Sequence, residues 1–194
     1  MPSADEAALS CWEAGHESLA NGDLTAAVHS FRQAVRIDPD FGEAYGDLGA
    51  ALGNQGAWQE SAAAHRRALE LLPGQLEASY NLGVALCMLE DYAGSEEHFR
   101  HVLRLTPDNP DPRYRLGVAL AQQSKCGEAL NAFELVIAKD PTHAEAHAMA
   151  ARELVHFKRD AEARTLLARV RELRPDLMEE WQELSDLWQK LEGA

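Results

Sequence analysis

The sequence contains no apolar run that approaches the roughly 20 residues needed to cross a membrane. Its amino terminus, MPSADEAALSCW, has neither a basic start nor an apolar segment, so we expect no signal peptide. The three cysteines, Cys11, Cys87 and Cys126, are far apart and show no CxxC spacing. An odd number of dispersed cysteines predicts free thiols in a reducing compartment, and therefore a cytoplasmic protein.

Basic residues are scarce, and this limits the classes of partner. The chain carries 18 Lys and Arg against 32 Asp and Glu, a net charge of −14, and only Arg32 and Arg36 are basic among the first 65 residues. A nucleic-acid-binding protein needs a basic face that replaces phosphate counter-ions. The composition therefore argues against nucleic acid and anionic membrane surfaces, and it favours a basic protein partner.

Sequence motifs of catalysis are also missing: there is no P-loop, GxSxG, HExxH or zinc ribbon. Two histidine pairs, His98 with His101 and His143 with His147, have a spacing that can bind metal. Because no cysteine or third ligand is nearby in sequence, we interpret them as surface histidines. We expect no enzyme activity, no cofactor and no metal.

The dominant feature of the chain is a period of 34 residues. Proline recurs at this spacing: Pro39, Pro73, Pro107, Pro141 and Pro175. Alignment on these prolines gives repeats 8–41, 42–75, 76–109, 110–143 and 144–177. Position 8 of each repeat is small: Gly15, Gly49, Gly83, Gly117 and Ala151. Position 24 is mostly aromatic: Phe31, His65, Phe99, Phe133 and Leu167. Each repeat holds two helical patterns, and the proline ends the second.

These columns resemble the tetratricopeptide repeat (TPR) family, with departures at Ala151, His65 and Leu167. The resemblance implies an all-α fold, a right-handed superhelical solenoid of five TPR helix pairs in a single domain, residues 1–194. A capping helix, 178–191, follows the repeats. Its apolar face, with Trp181 and Trp188, is expected to cover the fifth repeat, as the end of a repeat array requires.

The resemblance also implies a concave groove, lined by the first helix of each repeat, that binds a partner segment. The groove positions are Trp12, Gly46, Ala50, Gly53, Tyr80, Val84, Met88, Tyr114, Val118, Met149 and Arg152. Glycine at 46 and 53 costs about 1 kcal/mol each relative to alanine in a helix. Two interpretations remain open: a bare patch that a partner approaches closely, flanked by Trp12 and Tyr80, or relaxed selection. The apolar residues in the middle of the groove also have two interpretations: an apolar floor that contacts a ligand, or packing that fills a tight superhelix. These residues are Tyr80, Val84, Met88, Tyr114, Val118 and Met149.

Position 2 is acidic in four of the five repeats and in the cap: Glu43, Glu77, Asp111, Glu145 and Glu179. An acidic ladder for a basic peptide is one interpretation. Helix capping is the stronger one, because position 33, three residues earlier, is Asp or Thr in four of five cases. The TPR subclass that clamps chaperone carboxyl termini is excluded, because Gly46, Ala50 and Asp111 replace three of its five binding residues.

The sequence therefore predicts a protein–protein interaction scaffold or adaptor that binds a peptide or helix of its partner in the groove. The partner is expected to be a basic protein or peptide with apolar anchors, without nucleic acid or membrane insertion. Two alternatives stay open: a self-assembling, homo-oligomeric TPR protein, and an accessory subunit of an enzyme complex.

Overall fold

The computed structural model describes residues 3–192, with the side chains of residues 180, 183 and 192 excepted, and these residues form helices and turns without a strand. Residues 1, 2, 193 and 194 of the predicted domain lie outside the described residues. The helices are α1 (Ala4–Ala20), α2 (Leu24–Ile37), α3 (Gly42–Asn54), α4 (Trp58–Leu71), α5 (Leu76–Met88), α6 (Tyr92–Leu105), α7 (Pro110–Gln122), α8 (Cys126–Lys139), α9 (Ala144–His156), α10 (Asp160–Leu173), α11 (Pro175–Glu180) and α12 (Gln182–Glu192).

The helix boundaries follow the 34-residue period. The first helices of repeats two to five begin at the predicted first positions: Gly42, Leu76, Pro110 and Ala144. The second helix of every repeat ends two residues before the repeat proline. Proline fixes φ and has no N–H to donate, so it disfavours continuation of the helix. The prediction of an all-α fold of consecutive helix pairs is confirmed.

The chain divides into two compact units, which meet in sequence between Val102 and Leu103. In the first unit, α1 packs on α2 and α3 packs on α4, while α3 and α5 also contact each other. In the second unit, α7 packs on α8 and α9 packs on α10, and α8 also contacts α9. Neighbouring pairs thus bury each other's apolar faces within each unit, as expected for repeat proteins.

The helices of a pair approach closely where a glycine faces an aromatic ring. A Cβ on Gly83 would lie 2.9 Å from the Phe99 ring, and one on Gly117 would lie 2.6 Å from Phe133. Phe99 and Phe133 are 0% exposed. The position-8 glycine is therefore required by packing, because a side chain there would overlap a buried ring.

The C-terminal cap differs from the prediction of one helix. It consists of α11 and α12, separated by Trp181, whose φ of −103° and ψ of 83° are not helical. Leu184 is fully buried, and the Arg171 guanidinium stacks 4.7 Å from the Trp188 ring centre. Both cap helices contact α10. The apolar residues keep a helical period across the break, so the sequence pattern alone could not reveal it.

Candidate functional site

A cleft of about 580 Å³ opens in the first unit between the first helices of three repeats. We call it the α1–α3–α5 cleft. Its lining residues are Trp12, Glu13, His16, Glu43, Gly46, Asp47, His65, Gln75, Glu77, Ala78 and Asn81. Two of the predicted groove residues, Trp12 and Gly46, lie here. The same face of each repeat therefore contributes to one concave surface in this unit, because the repeat places equivalent positions side by side.

Trp12 is held in place at the edge of the cleft. Its indole Nε1 donates a hydrogen bond to Asp47 Oδ2 at 2.6 Å, and His16 Nε2 lies 2.9 Å from the same oxygen. The Trp12 ring meets His16 edge-on at 4.5 Å and Phe41 at 5.7 Å between ring centres. An aromatic side chain fixed in this way offers a contact surface at low cost in conformational entropy.

Gly46 makes room for a neighbouring side chain. A Cβ on Gly46 would lie 3.1 Å from Gln75 Oε1, an atom that is buried and has no hydrogen-bond partner among the described residues. The predicted bare patch is therefore partly occupied by the Gln75 amide. Gln75 Oε1 is therefore a free hydrogen-bond acceptor beside the cleft. A buried carbonyl oxygen without a donor is costly, so a hydrogen bond from a ligand would be favourable here.

A second cleft of about 320 Å³ adjoins the first and shares His65, Glu77 and Asn81 with it. It contains three further predicted groove residues, Ala50, Gly53 and Val84. A Cβ on Gly53 would lie 3.3 Å from Ser61 Oγ and 3.5 Å from the Trp58 ring. The small residues of α3 thus open space along the helix from Gly46 to Gly53.

His65 replaces the position-24 aromatic of the second repeat and is shared by both clefts. Its side chain is 1% exposed, and a Cβ on Gly49 would lie 2.7 Å from its ring. Neither ring nitrogen has a hydrogen-bond partner among the described residues. Burial lowers the pKa of His65 to about 4, so the ring is neutral at pH 7.

The α1–α3–α5 cleft is acidic. The described residues of its lining include the carboxylates of Glu13, Glu43, Asp47 and Glu77 and no lysine or arginine. The first turns of α3 and α5 contribute Glu43 and Glu77, where the helix dipole favours negative charge. A basic ligand would therefore meet a negative potential at this surface.

The capping boxes predicted for α3 and α5 are wrong, although Glu43 and Glu77 lie in the first turns of these helices as expected. The N-caps of these helices are Phe41 and Gln75, one residue after the predicted position, and neither makes a side-chain capping bond. Hence Glu43 and Glu77 have no partner in a capping box. Glu43 and Glu77 instead line the cleft, where their carboxylates contribute negative charge.

The remaining predicted residues of the first unit lie outside the lining of these two clefts. Tyr80 is half-buried with its ring 5.7 Å from that of Phe99. Met88 is 54% exposed. Tyr80 therefore packs on the helix pair of its own repeat, whereas Met88 presents apolar surface to solvent.

In the second unit the predicted apolar floor is partly a packed interior. Met149 is 5% exposed, so its expected place on an open surface is wrong, and Arg152 Nη1 lies 3.6 Å from its sulfur. Tyr114 is half-buried between the rings of Phe133 and His143, and burial raises the pKa of its hydroxyl. Val118 is half-buried as well.

The interpretation of the histidine pairs as surface residues needs correction. His147 is 5% exposed, and its Nε2 lies 3.1 Å from the carbonyl oxygen of Pro141. His98 is half-buried, with Nδ1 3.2 Å from Ser79 Oγ. Both side chains are thus held by local hydrogen bonds within their units.

Asp47, Gln75 and Glu13 belong to the cleft although the sequence did not single them out. Asp47 follows Gly46 on α3, and Gln75 precedes α5. Their contribution depends on how consecutive repeats pack, which a single-repeat motif does not contain. The sequence signals that pointed to this place were the predicted groove residues Trp12 and Gly46 and the unusual His65 in the aromatic column.

Comparison with known proteins agrees with these observations. Family models described as tetratricopeptide repeat match residues 120–186 and 54–110, and one described as TPR repeat matches residues 15–56. Together with the helix pairs and their 34-residue period, these matches show that the chain belongs to the tetratricopeptide repeat family. It is thus a helical-repeat scaffold. No curated protein matches this chain at a significant level.

Solved structures with the same fold are similar at low sequence identity. The structure of MamA from Desulfovibrio magneticus RS-1, residue 41 to the end, is 21% identical in sequence to this chain. Its TM-score is 0.83, and the match covers 90% of this chain and 98% of that one. YrrB, described as "a TPR protein with an unusual peptide-binding site", is 22% identical in sequence to this chain. Its TM-score is 0.80, and the match covers 88% of each chain. Among the described residues, no helix has the length and apolar character that crossing a membrane requires.

Proposed function

We propose that the chain binds a segment of a partner protein in the α1–α3–α5 cleft, and that an arginine side chain of this segment enters the cleft. The observation that carries the proposal is the lining itself, whose described residues include four carboxylates and no lysine or arginine. Residues 1–102 carry 16 acidic and 5 basic residues, so the charge of the surrounding unit has the same sign. Such a field speeds the approach of a basic partner and selects against acidic ones.

The chemistry of the cleft favours arginine over lysine. Guanidinium is a planar group with five donors and no acceptor. The unpartnered Gln75 Oε1 and the carboxylates of Glu43 and Glu77 are acceptors, and the fixed Trp12 ring offers a face for cation–π contact. The fold is shared with YrrB, which is described as having an unusual peptide-binding site, and this likeness supports the choice of a peptide as ligand.

A direct test uses N-acetyl-arginine amide as the probe and NMR of the ¹⁵N-labelled chain as the readout. We expect shifts at the Trp12 indole N–H and at the amides of Gly46 and Asn81, and weaker binding as salt rises. N-acetyl-citrulline amide has the same shape without the charge, so it should give no saturable shift. Equal responses to both compounds, or shifts confined to other residues, would contradict the proposal.

Charge-matched variants separate the cleft from the general field. Glu43→Gln with Glu77→Gln removes two carboxylates of the lining and should weaken arginine binding about tenfold, as for charge-assisted contacts. Glu17→Gln with Glu97→Gln removes two exposed carboxylates outside the lining, and its affinity should stay close to that of the wild type. Similar losses in both variants would mean that only net charge matters.

A steric variant tests whether a protein segment uses the same cleft. Gly46→Leu should fold and exclude a partner segment, whereas Ala63→Leu, on the exposed face of α4, should not. Light scattering of the same variants addresses self-assembly. A dimer that dissociates on Gly46→Leu would mean that a second copy of this chain, and not a foreign partner, occupies the cleft.

A further inference from the structure

Three side chains of metal-binding type come together in the second unit, at Cys126, Glu153 and His156. One ligand atom from each lies within 4.8 Å of those of the other two. Cys126 is the first residue of α8, while Glu153 and His156 lie in the last turn of α9. Residues three apart in a helix share one face, so the two α9 side chains point the same way.

The packing of α8 against α9 brings these residues together. The two helices are in direct contact, and a Cβ on Gly127 would lie 3.9 Å from the Phe157 ring. The start of α8 therefore lies beside the end of α9. The sequence motifs could not reveal this cluster, because the thiol and the two α9 ligands belong to different repeats.

A second observation concerns the carboxylate of Glu153. Glu153 is 4% exposed, and its Oε2 is buried without a hydrogen-bond partner among the described residues. The Cys126 thiol makes a hydrogen bond with the Glu153 carboxylate. A buried carboxylate is costly unless it is paired or binds a metal, and one thiol is a weak donor.

We propose that Cys126, Glu153 and His156 bind a divalent transition-metal ion of the zinc type. Thiolate, imidazole and carboxylate are the ligands that Zn²⁺ takes in proteins, and the thiolate disfavours Mg²⁺ and Ca²⁺. Tetrahedral coordination with bonds of about 2.0–2.3 Å needs ligand atoms about 3.5 Å apart, so the cluster must contract. His156 is exposed, which leaves its ring room to rotate toward the other two ligands.

Three protein ligands leave one coordination position open. This position is taken by water or by a group from another molecule, as in zinc sites that are not purely structural. The site lies in the second unit, whereas the proposed arginine site lies in the first. The two proposals rest on different residues, and the failure of one leaves the other standing.

The test uses the full, reduced and metal-free chain, with Co²⁺ as a spectroscopic probe and Zn²⁺ as competitor. We expect one equivalent of Co²⁺ to give a thiolate-to-cobalt charge-transfer band, which Zn²⁺ abolishes. Zn²⁺ should also raise the melting temperature, because it binds the folded state. A wild-type chain without this band, or with no response to Zn²⁺, would overturn the proposal.

Matched variants assign the ligands. Cys126→Ala should abolish the band, and His156→Ala, at an exposed position, should weaken metal binding at least about tenfold without unfolding the chain. Glu153→Gln keeps the shape and removes the charge, and should weaken binding similarly. The control, Cys11→Ala with Cys87→Ala, leaves Cys126 as the sole thiol and should retain the band. A band that survives Cys126→Ala, or that is lost in the control, would assign the metal elsewhere.

Discussion

The first helices of the two units present different side chains at the same repeat positions. Positions 5, 9 and 12 are Gly46, Ala50 and Gly53 on α3, and Ala148, Arg152 and Val155 on α9. The two helices have 13 residues each, yet nine residues of α9 are buried against six of α3. One backbone repeat thus yields an open face in the first unit and a filled one around α9, because side-chain size decides how much space remains between helices.

Charge separates the units as well. Both halves carry 16 acidic residues, but residues 1–102 have 5 basic ones and residues 103–194 have 13. Most of the net charge of −14 therefore belongs to the first unit. The comparison indicates that a strongly acidic unit and a unit of nearly balanced charge can share one fold, since helix packing constrains the buried columns and leaves the exposed positions free.

The largest effect is expected where glycine faces a buried ring. Gly117→Ala would place a Cβ 2.6 Å from the Phe133 ring, which is 0% exposed, so we expect a loss of about 3 kcal/mol in the free energy of unfolding. Gly127→Ala is the control: the site is exposed, and its Cβ would lie 3.9 Å from the Phe157 ring. It should stabilise α8 by up to about 1 kcal/mol. Urea unfolding measures both, and equal changes would refute the packing role of Gly117.

The next effect concerns His65, the exception in the aromatic column. Its pKa is about 4 in the folded chain and 6.5 for an unperturbed histidine, so the unfolded state binds more protons between these values. Stability attributable to this residue is complete above pH 6.5 and falls as the pH drops toward 4. At pH 5 the loss amounts to about 2 kcal/mol.

His65→Phe restores the aromatic of the neighbouring repeats and removes this titration. The difference in the free energy of unfolding between variant and wild type should therefore be about 2 kcal/mol larger at pH 5 than at pH 8. Denaturant unfolding at the two pH values gives the comparison, with pH 8 as the internal reference. A difference that does not change with pH would mean that the His65 ring is protonated as easily in the folded chain as in the unfolded one.

The smallest effect is expected at a glycine of the cleft. Gly46→Ala should raise the free energy of unfolding by about 1 kcal/mol, because alanine favours the helix and the Gln75 side chain can move aside. Ala at this position should leave most of the cleft open, so arginine binding should persist. A destabilised Gly46→Ala variant would place Gly46 in a packed contact like that of Gly117.

The 34-residue period of the sequence predicted much of the fold. The prolines predicted where second helices end, and the alignment predicted the first residue of four helices, Gly42, Leu76, Pro110 and Ala144. Such features are local, because proline restricts the backbone of its own repeat. The contact between Gly83 and the Phe99 ring also lies within one repeat, but the repeat columns alone did not predict this pairing.

The cleft could be predicted only in part. Trp12 and Gly46 followed from the family pattern, whereas Asp47, Gln75 and the burial of Met149 did not. The break at Trp181 and the true N-caps, Phe41 and Gln75, were missed for the same reason. Each depends on φ and ψ at single residues or on side chains from neighbouring repeats.

The sequence by itself determined the repeat, the helices, the acidic balance and the family. Tertiary structure decided which carboxylates share a cleft, which polar atoms are buried without a partner, and that Cys126 lies beside Glu153 and His156. The physical reason is the range of the interactions. Helix formation and termination are set within a few residues, whereas burial and ligand geometry arise from the contact of residues that are distant in sequence.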